Sequence, residues 1–315
     1  MRVRGSFVLP PDKARRMRRA VVLEWLTLFF MGTVVVIMYL AMSGSQAMKT
    51  AWLEDLAGLI PAISFLIAHH FERRPPDSKF PYGFYKAVPI AYLISGTAIL
   101  GVGGYVLIDG GLNLVKLEHP TIGAVSLFGH DVWAGWVMLA ALAYSIVPPV
   151  ILGHLKLPLG RDLCDRVLLA DADMQKADWM TGGAAMVGIV GVGFGYWWAD
   201  SVAAMAIALS VTYDGVYHVV HALRNLADAT PAEMNDEGEE DGIAGKVRRA
   251  VERLPWVAYA DVQLRDEGRP VTGIVFVRPK RRAADDLKRL QEARRVIEAV
   301  DWRLYQVVVT SFDGR

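Results

Sequence analysis

The stretch "LADADMQKADWMTGGAAMVGIVGVGFGYWW", residues 169–198, carries three aspartates and a lysine into an apolar run. After Asp178 no charged residue follows until Asp200. Helical residues three, four and seven apart share a face, so Asp171, Met174 and Asp178 fall in one stripe. Asp173 lies about 100° from Met174, at the edge of that stripe. Asp171 and Asp173 read equally well as solvated carboxylates favouring a helix N-terminus, an effect worth about 0.3–1 kcal/mol. Asp178 lies about 10 Å deeper than Asp171 by helical rise. A carboxylate at that depth costs roughly 2.5–3.5 kcal/mol on insertion scales, which points to a functional site.

Working outward, the 315-residue chain is 53% hydrophobic with mean hydropathy +0.29, yet 21% charged. The apolar residues concentrate between 20 and 221, whereas 232–315 reads as water-soluble sequence. A membrane helix needs about 20 apolar residues. Six segments qualify, near 20–43, 48–71, 87–109, 132–154, 175–197 and 199–221. The expected fold is thus an α-helical membrane protein with six transmembrane helices in residues 20–228. Residues 1–19 form a basic N-terminal arm. The apolar run after it is longer than a signal h-region and lacks a clear cleavage site, so the first helix is expected to stay as an anchor. Lys and Arg crowd the arm, "FERRPPDSKFPYGFYK" (71–86) and "HLKLPLGRDLCDR" (154–166), and are sparse in the alternate loops. With six spans, that bias puts both termini in the cytoplasm. An acidic linker, 229–241, leads to residues 242–315, whose α-β-β-α-β pattern suits a small α+β sandwich. The net charge of +1 gives no nucleic-acid signature, and Cys164 alone makes no intrachain disulfide. Lacking a nucleophile–base set or a phosphate-cradling loop, the chain is not expected to be an enzyme or to hold a cofactor.

A second acidic pair, Glu54 and Asp55, enters the second span. Two helices turning carboxylates toward one cation explains both groups. Three stretches, "RRPPDSKFPYGFYKA" (73–87), "LLADADMQKAD" (168–178) and "WWADSVAAMAIAL" (197–209) with its exit "LRNLADATP" (223–231), resemble the cation diffusion facilitators, in order and across nearly the whole chain. That family's members are six-span metal transporters with a cytoplasmic ferredoxin-like domain. The resemblance implies a homodimer in the cytoplasmic membrane that exports a divalent cation by proton antiport, from a site between spans two and five. It also implies an ion pair between Lys86, opening the third span, and Asp228, at the exit of the sixth.

The metal positions depart from the family pattern. Zinc-transporting members usually place His and then Asp, four apart, in the fifth span; here Met174 and Asp178 stand there. In the second span the matching pair is Glu54 with Gly58, or one residue on, Asp55 with Leu59. No histidine remains at these positions, so the tetrahedral zinc set of His and carboxylates is absent. The candidate ligands are Glu54, Asp55, Asp171, Met174 and Asp178. Met174 has a plainer reading as apolar packing. Glu24, in the first span, is open between a snorkelling acid and a proton carrier. The segment after His221 has neither imidazole nor thiol and is expected to dimerise or bind a partner rather than zinc. Two rival readings stay open: a non-transporting membrane scaffold, and a transporter of a different solute through a rebuilt site.

Overall fold

In the computed structural model, residues 6–41, 46–116, 124–127, 130–193, 199–231, 242–280 and 286–312 are described. Seven helices precede the C-terminal region: α1 (Pro11–Ala41), α2 (Gln46–Ala57), α3 (Leu59–Glu72), α4 (Ala87–Lys116), α5 (Ala134–Leu163), α6 (Arg166–Gly193) and α7 (Ala199–Leu226). Among the described residues, four stretches are long and apolar enough to cross a membrane, by length and composition: Pro11–Ala41, Trp52–Glu72, Ala87–Leu112 and Gly135–Leu163. Polarity runs opposite to that of a water-soluble bundle. Glu24, Asp171 and Asp178 are buried, while Trp25, Phe29, Ile67 and Ile108 point outward. Such an arrangement suits a hydrocarbon solvent.

Three departures from the expected helix boundaries have a visible cause. α1 begins at Pro11, so much of the basic arm is helical. Proline suits the first helical position, and Lys13 and Arg16 fix the added turns by pairing with Asp162 at 3.0 and 2.5 Å. The second span is broken into α2 and α3 at Gly58, just before Pro61, which offers no backbone donor. The Gly58 N–H still reaches the Glu54 carbonyl at 2.8 Å. α5 runs to Leu163, past Pro148, Pro149 and Pro158, so Lys156 lies within a helix rather than in a loop. A further feature, the antiparallel hairpin β1 (Ala124–Leu127) and β2 (His130–Trp133), takes up part of an expected loop and the first two residues of the expected fourth span.

α4 packs along α7 and α5 along α6, with α1 against α5 and α3 against α4. The shared core includes Met17, Phe65, Ala91, Leu168, Met174 and Val211.

The C-terminal domain comprises α8 (Ile243–Glu252), β3 (Val257–Asp266), β4 (Val271–Pro279), α9 (Asp286–Glu298) and β5 (Val308–Ser311). Its sheet order is β3-β4-β5, with β3 and β4 antiparallel and β5 parallel to β4, Ile274 opposite Val308. Val247 and Val251 of α8 and Ala293 and Ile297 of α9 close the core on Val275 and Val277. Of the acidic linker expected at 229–241, residues 232–241 lie outside the described residues.

The β3–β4 turn docks this domain onto the helices. Gly268 has φ +112°, and a Cβ there would stand 2.8 Å from Val88 at the start of α4, so a glycine is required on both counts. The next residue, Arg269, is fully buried. Its guanidinium pairs with Glu72 at the end of α3 and with Asp165, 2.6 Å away, in the α5–α6 turn. Asp165 also caps α6, its Oδ1 accepting from the Val167 and Leu168 amides at 3.1 and 3.2 Å. One arginine thereby links the sheet domain to the ends of α3 and α6.

Candidate metal site

Asp178 sits where α6 meets the α2–α3 break. A Cβ on Gly58 would lie 2.9 and 3.4 Å from the two Asp178 carboxylate oxygens, so this side chain rests directly on the glycine backbone. The Gly58–Glu54 backbone bond sets Glu54 one turn back along α2, with Asp55 beside it. Glu54, Asp55 and Asp178 are all buried. Thr181, three residues on from Asp178, lines the same small cavity as Glu54. One oxygen of each acid, Glu54 Oε1, Asp55 Oδ2 and Asp178 Oδ2, accepts no hydrogen bond from the described residues. A cavity of about 10 Å³ adjoins Glu54, Asp178 and Thr181, closed by Val102 and Val106 of α4 and Val211 of α7. That is room for about one water.

Three carboxylates are thus gathered in the interior, though not converged. Among the described residues, no three His, Cys, Asp or Glu side chains are arranged to hold a metal ion as they stand. The donor chemistry is oxygen throughout, which fits hard divalent ions better than zinc.

Two further sequence candidates, Met174 and Asp171, have other neighbours in the structure. Met174 is fully buried in the apolar core with Phe65 and Leu168 and does not itself line the cavity. Asp171 belongs to a second buried cluster, because an intramembrane lysine claims it. Lys156 Nζ donates to Asp171 and, at 3.0 Å, to Glu24 Oε2. Gln175 completes the cluster, its amide donating to Asp171 Oδ2 at 2.9 Å and to Thr27 at 3.4 Å. Glu24, Lys156 and Asp171 are all wholly buried, so Glu24 does not snorkel. Sequence reasoning missed Lys156 by counting it with the loop charges. The usable signal was Glu24 itself, since an acid inside a membrane calls for a basic partner.

Several other polar groups are paired locally. His218 accepts or donates at both ring nitrogens, 3.0 Å from Asp173 Oδ2 and 3.0 Å from the Tyr92 hydroxyl. His221 instead stacks on Tyr217, with ring centroids 3.9 Å apart. Lys86 Nζ lies 2.7 Å from Asp228 Oδ1, and Arg265 of β3 approaches the other oxygen at 3.4 Å. The Lys86 hydrogen bond is the main reason the Asp228 carboxyl is held below its ordinary value of 3.8.

Comparison with known proteins agrees with this architecture. The model of the cation efflux transmembrane domain matches residues 22–227. The manganese efflux system protein MneS of Bacillus subtilis is 28% identical over 167 residues, 53% of this chain and 53% of that protein. The cation-efflux pump FieF of Shewanella oneidensis is 29% identical over 210 residues, covering 63% and 65%. The magnetosome protein MamB of Magnetospirillum gryphiswaldense is 25% identical over 191 residues, 60% of each chain. The chain therefore spans between half and two thirds of these relatives' lengths. With a matched domain that runs from within α1 to the end of α7 and an acidic cluster where α2 meets α6, the chain belongs to the cation efflux family, the cation diffusion facilitators.

Proposed function

We propose that this protein is a secondary transporter that exports a divalent metal cation from the cytoplasm, with Glu54, Asp55 and Asp178 as the binding carboxylates. The observation that carries this reading is the Asp178 carboxylate seated on Gly58, beside two further buried acids of α2. A cation entering the small cavity would draw the three acids inward. Oxygen ligands favour a hard ion such as manganese, and MneS carries manganese in its name. Charge balance in a low-dielectric interior supports proton antiport: when the cation leaves, protons replace its charge on the acids.

In this reading α1, α2–α3, α4, α5, α6 and α7 make six spans of the cytoplasmic membrane, with both termini inside. The α-β-β-α-β domain is ferredoxin-like and joins two copies. The Lys86–Asp228 pair, reinforced by Arg265, braces the helices at that junction. The chain acts as a transporter and not as an enzyme.

The test is uptake of Mn²⁺, Zn²⁺ and Ca²⁺ into proteoliposomes with a pH-sensitive dye inside. Saturable Mn²⁺ movement with opposite proton flux, lost in Asp178→Asn, supports the proposal. Cation movement indifferent to pH and without proton flux would remove the antiport step. A second reading, a membrane scaffold without transport, draws on the unconverged carboxylates. It predicts no calorimetric heat with any of these cations.

A further inference from the structure

A groove of about 650 Å³ opens between the first turns of α1 and the end of α3, beside the sheet domain. This lies within the range of about 300–1,000 Å³ usual for small-molecule sites. Its apolar wall is built by Leu9, Met17, Val21 and Val22. Two cations, Arg18 of α1 and Arg73 just beyond α3, stand on its rim. Both are exposed, and neither side chain makes an ion pair or hydrogen bond among the described residues. Lys13 and Arg16, by contrast, are already committed to Asp162. The acid that lines the groove, Glu72, is neutralised from behind by Arg269. His69 also lines it, with a buried Nδ1 that has no hydrogen-bond partner.

The apolar wall does not stop at the groove. Arg18, Val22, Trp25 and Phe29 follow one another at spacings of four, three and four, which is a single helical face. Along it Val22, Trp25 and Phe29 are 57%, 61% and 65% exposed. A small hydrophilic anion would satisfy the arginines and leave this track bare, while a purely apolar ligand would leave two guanidinium groups uncompensated. An anionic amphiphile meets both demands.

We propose that the groove is a binding site for an acidic phospholipid of the surrounding membrane. Its phosphate sits between Arg18 and Arg73, whose forked donors suit phosphate oxygens, and one acyl chain lies along Val22, Trp25 and Phe29. His69 Nδ1 meets a headgroup or glycerol oxygen. This site is separate from the buried acids of α2 and α6 and does not depend on what they carry.

Native mass spectrometry of the full chain, titrated with phosphatidylglycerol or phosphatidylcholine of identical acyl chains, tests this. The protein should prefer phosphatidylglycerol. Arg18→Gln or Arg73→Gln should each weaken that binding about fivefold and the double substitution about 30-fold, with phosphatidylcholine unaffected. The control is Arg15→Gln with Arg19→Gln, which removes the same charge from α1 outside the groove and should change neither lipid. All four arginines are exposed, so the variants should keep the wild-type circular dichroism spectrum. Equal binding of the two lipids would overturn the proposal. So would an equal loss from the Arg15/Arg19 control, which would mean diffuse attraction to a basic surface. Full displacement of the lipid by inorganic phosphate would also overturn it, reducing the groove to a bare anion site.

Discussion

Gly58→Ala separates the proposed ligand role of Asp178 from its role in packing. The added methyl would stand 2.9 Å from one Asp178 oxygen, 3.4 Å from the other and 3.3 Å from the Asp55 carbonyl. Relief to ordinary contact needs a retreat of about 0.5 Å, and the flexible carboxylate gives way more readily than two helix backbones. Ligand positions matter to about 0.2 Å in a metal site, so the displacement exceeds the tolerance. The expected loss in Mn²⁺ affinity is roughly 10–100-fold, the size associated with losing a contact that orients a ligand. Stability should move the other way. Gly58 already has helical angles, φ −59° and ψ −16°, and alanine is about 1 kcal/mol better than glycine in a helix. Calorimetric titration with Mn²⁺ and thermal unfolding in detergent read the two effects separately. A variant that binds Mn²⁺ as tightly as wild type would refute Asp178 as a ligand beside Gly58. A joint fall in affinity and melting temperature would refute the claim that the contact is specific to the site.

Lys156→Met should destabilise the protein by about 3–5 kcal/mol, because it leaves Glu24 and Asp171 buried without their counter-ion. Adding Glu24→Gln and Asp171→Asn should recover most of that loss in a denaturant titration. Arg269→Ala and Asp165→Ala should be non-additive in a double-mutant cycle, with a coupling of about 0.5–3 kcal/mol; strict additivity would mean the turn does not hold α6 through this pair. Asp228 titrates below its ordinary value because of Lys86, so its contribution to stability is present above about pH 4 and is lost as the pH falls through the folded value. The effect is small, since the two side chains are 37% and 44% exposed. Melting curves of Lys86→Met should lack this acid-side step, and a step of unchanged size would assign it to another carboxylate.

How much of this was legible in the sequence depended on whether the cause was local. Strands β3 and β4 and helices α8 and α9 follow from alternation, amphipathic spacing and turn residues, so their order could be written from residues 242–315 directly. The pairing of α2 with α6 was readable because a deep carboxylate has few innocent explanations, and Asp178 stands against Gly58. The division of acids between two clusters was not readable, because it turns on Lys156. That lysine was counted among the charges of the loop 154–166, yet α5 continues through it and through Pro158. A helix can carry a proline when tertiary contacts outweigh the lost hydrogen bond, and the buried contacts with Glu24 and Asp171 supply them here. Asp171 and Asp178, seven residues apart on one helical face, therefore receive opposite fates. The first is bound to a fixed ammonium, and the second rests on a residue without a side chain. Only the second can change partners without breaking an ion pair. For that reason we propose the α2–α6 crossing as the place of an exchangeable cation and the Glu24–Lys156–Asp171 cluster as a permanent framework for α1, α5 and α6.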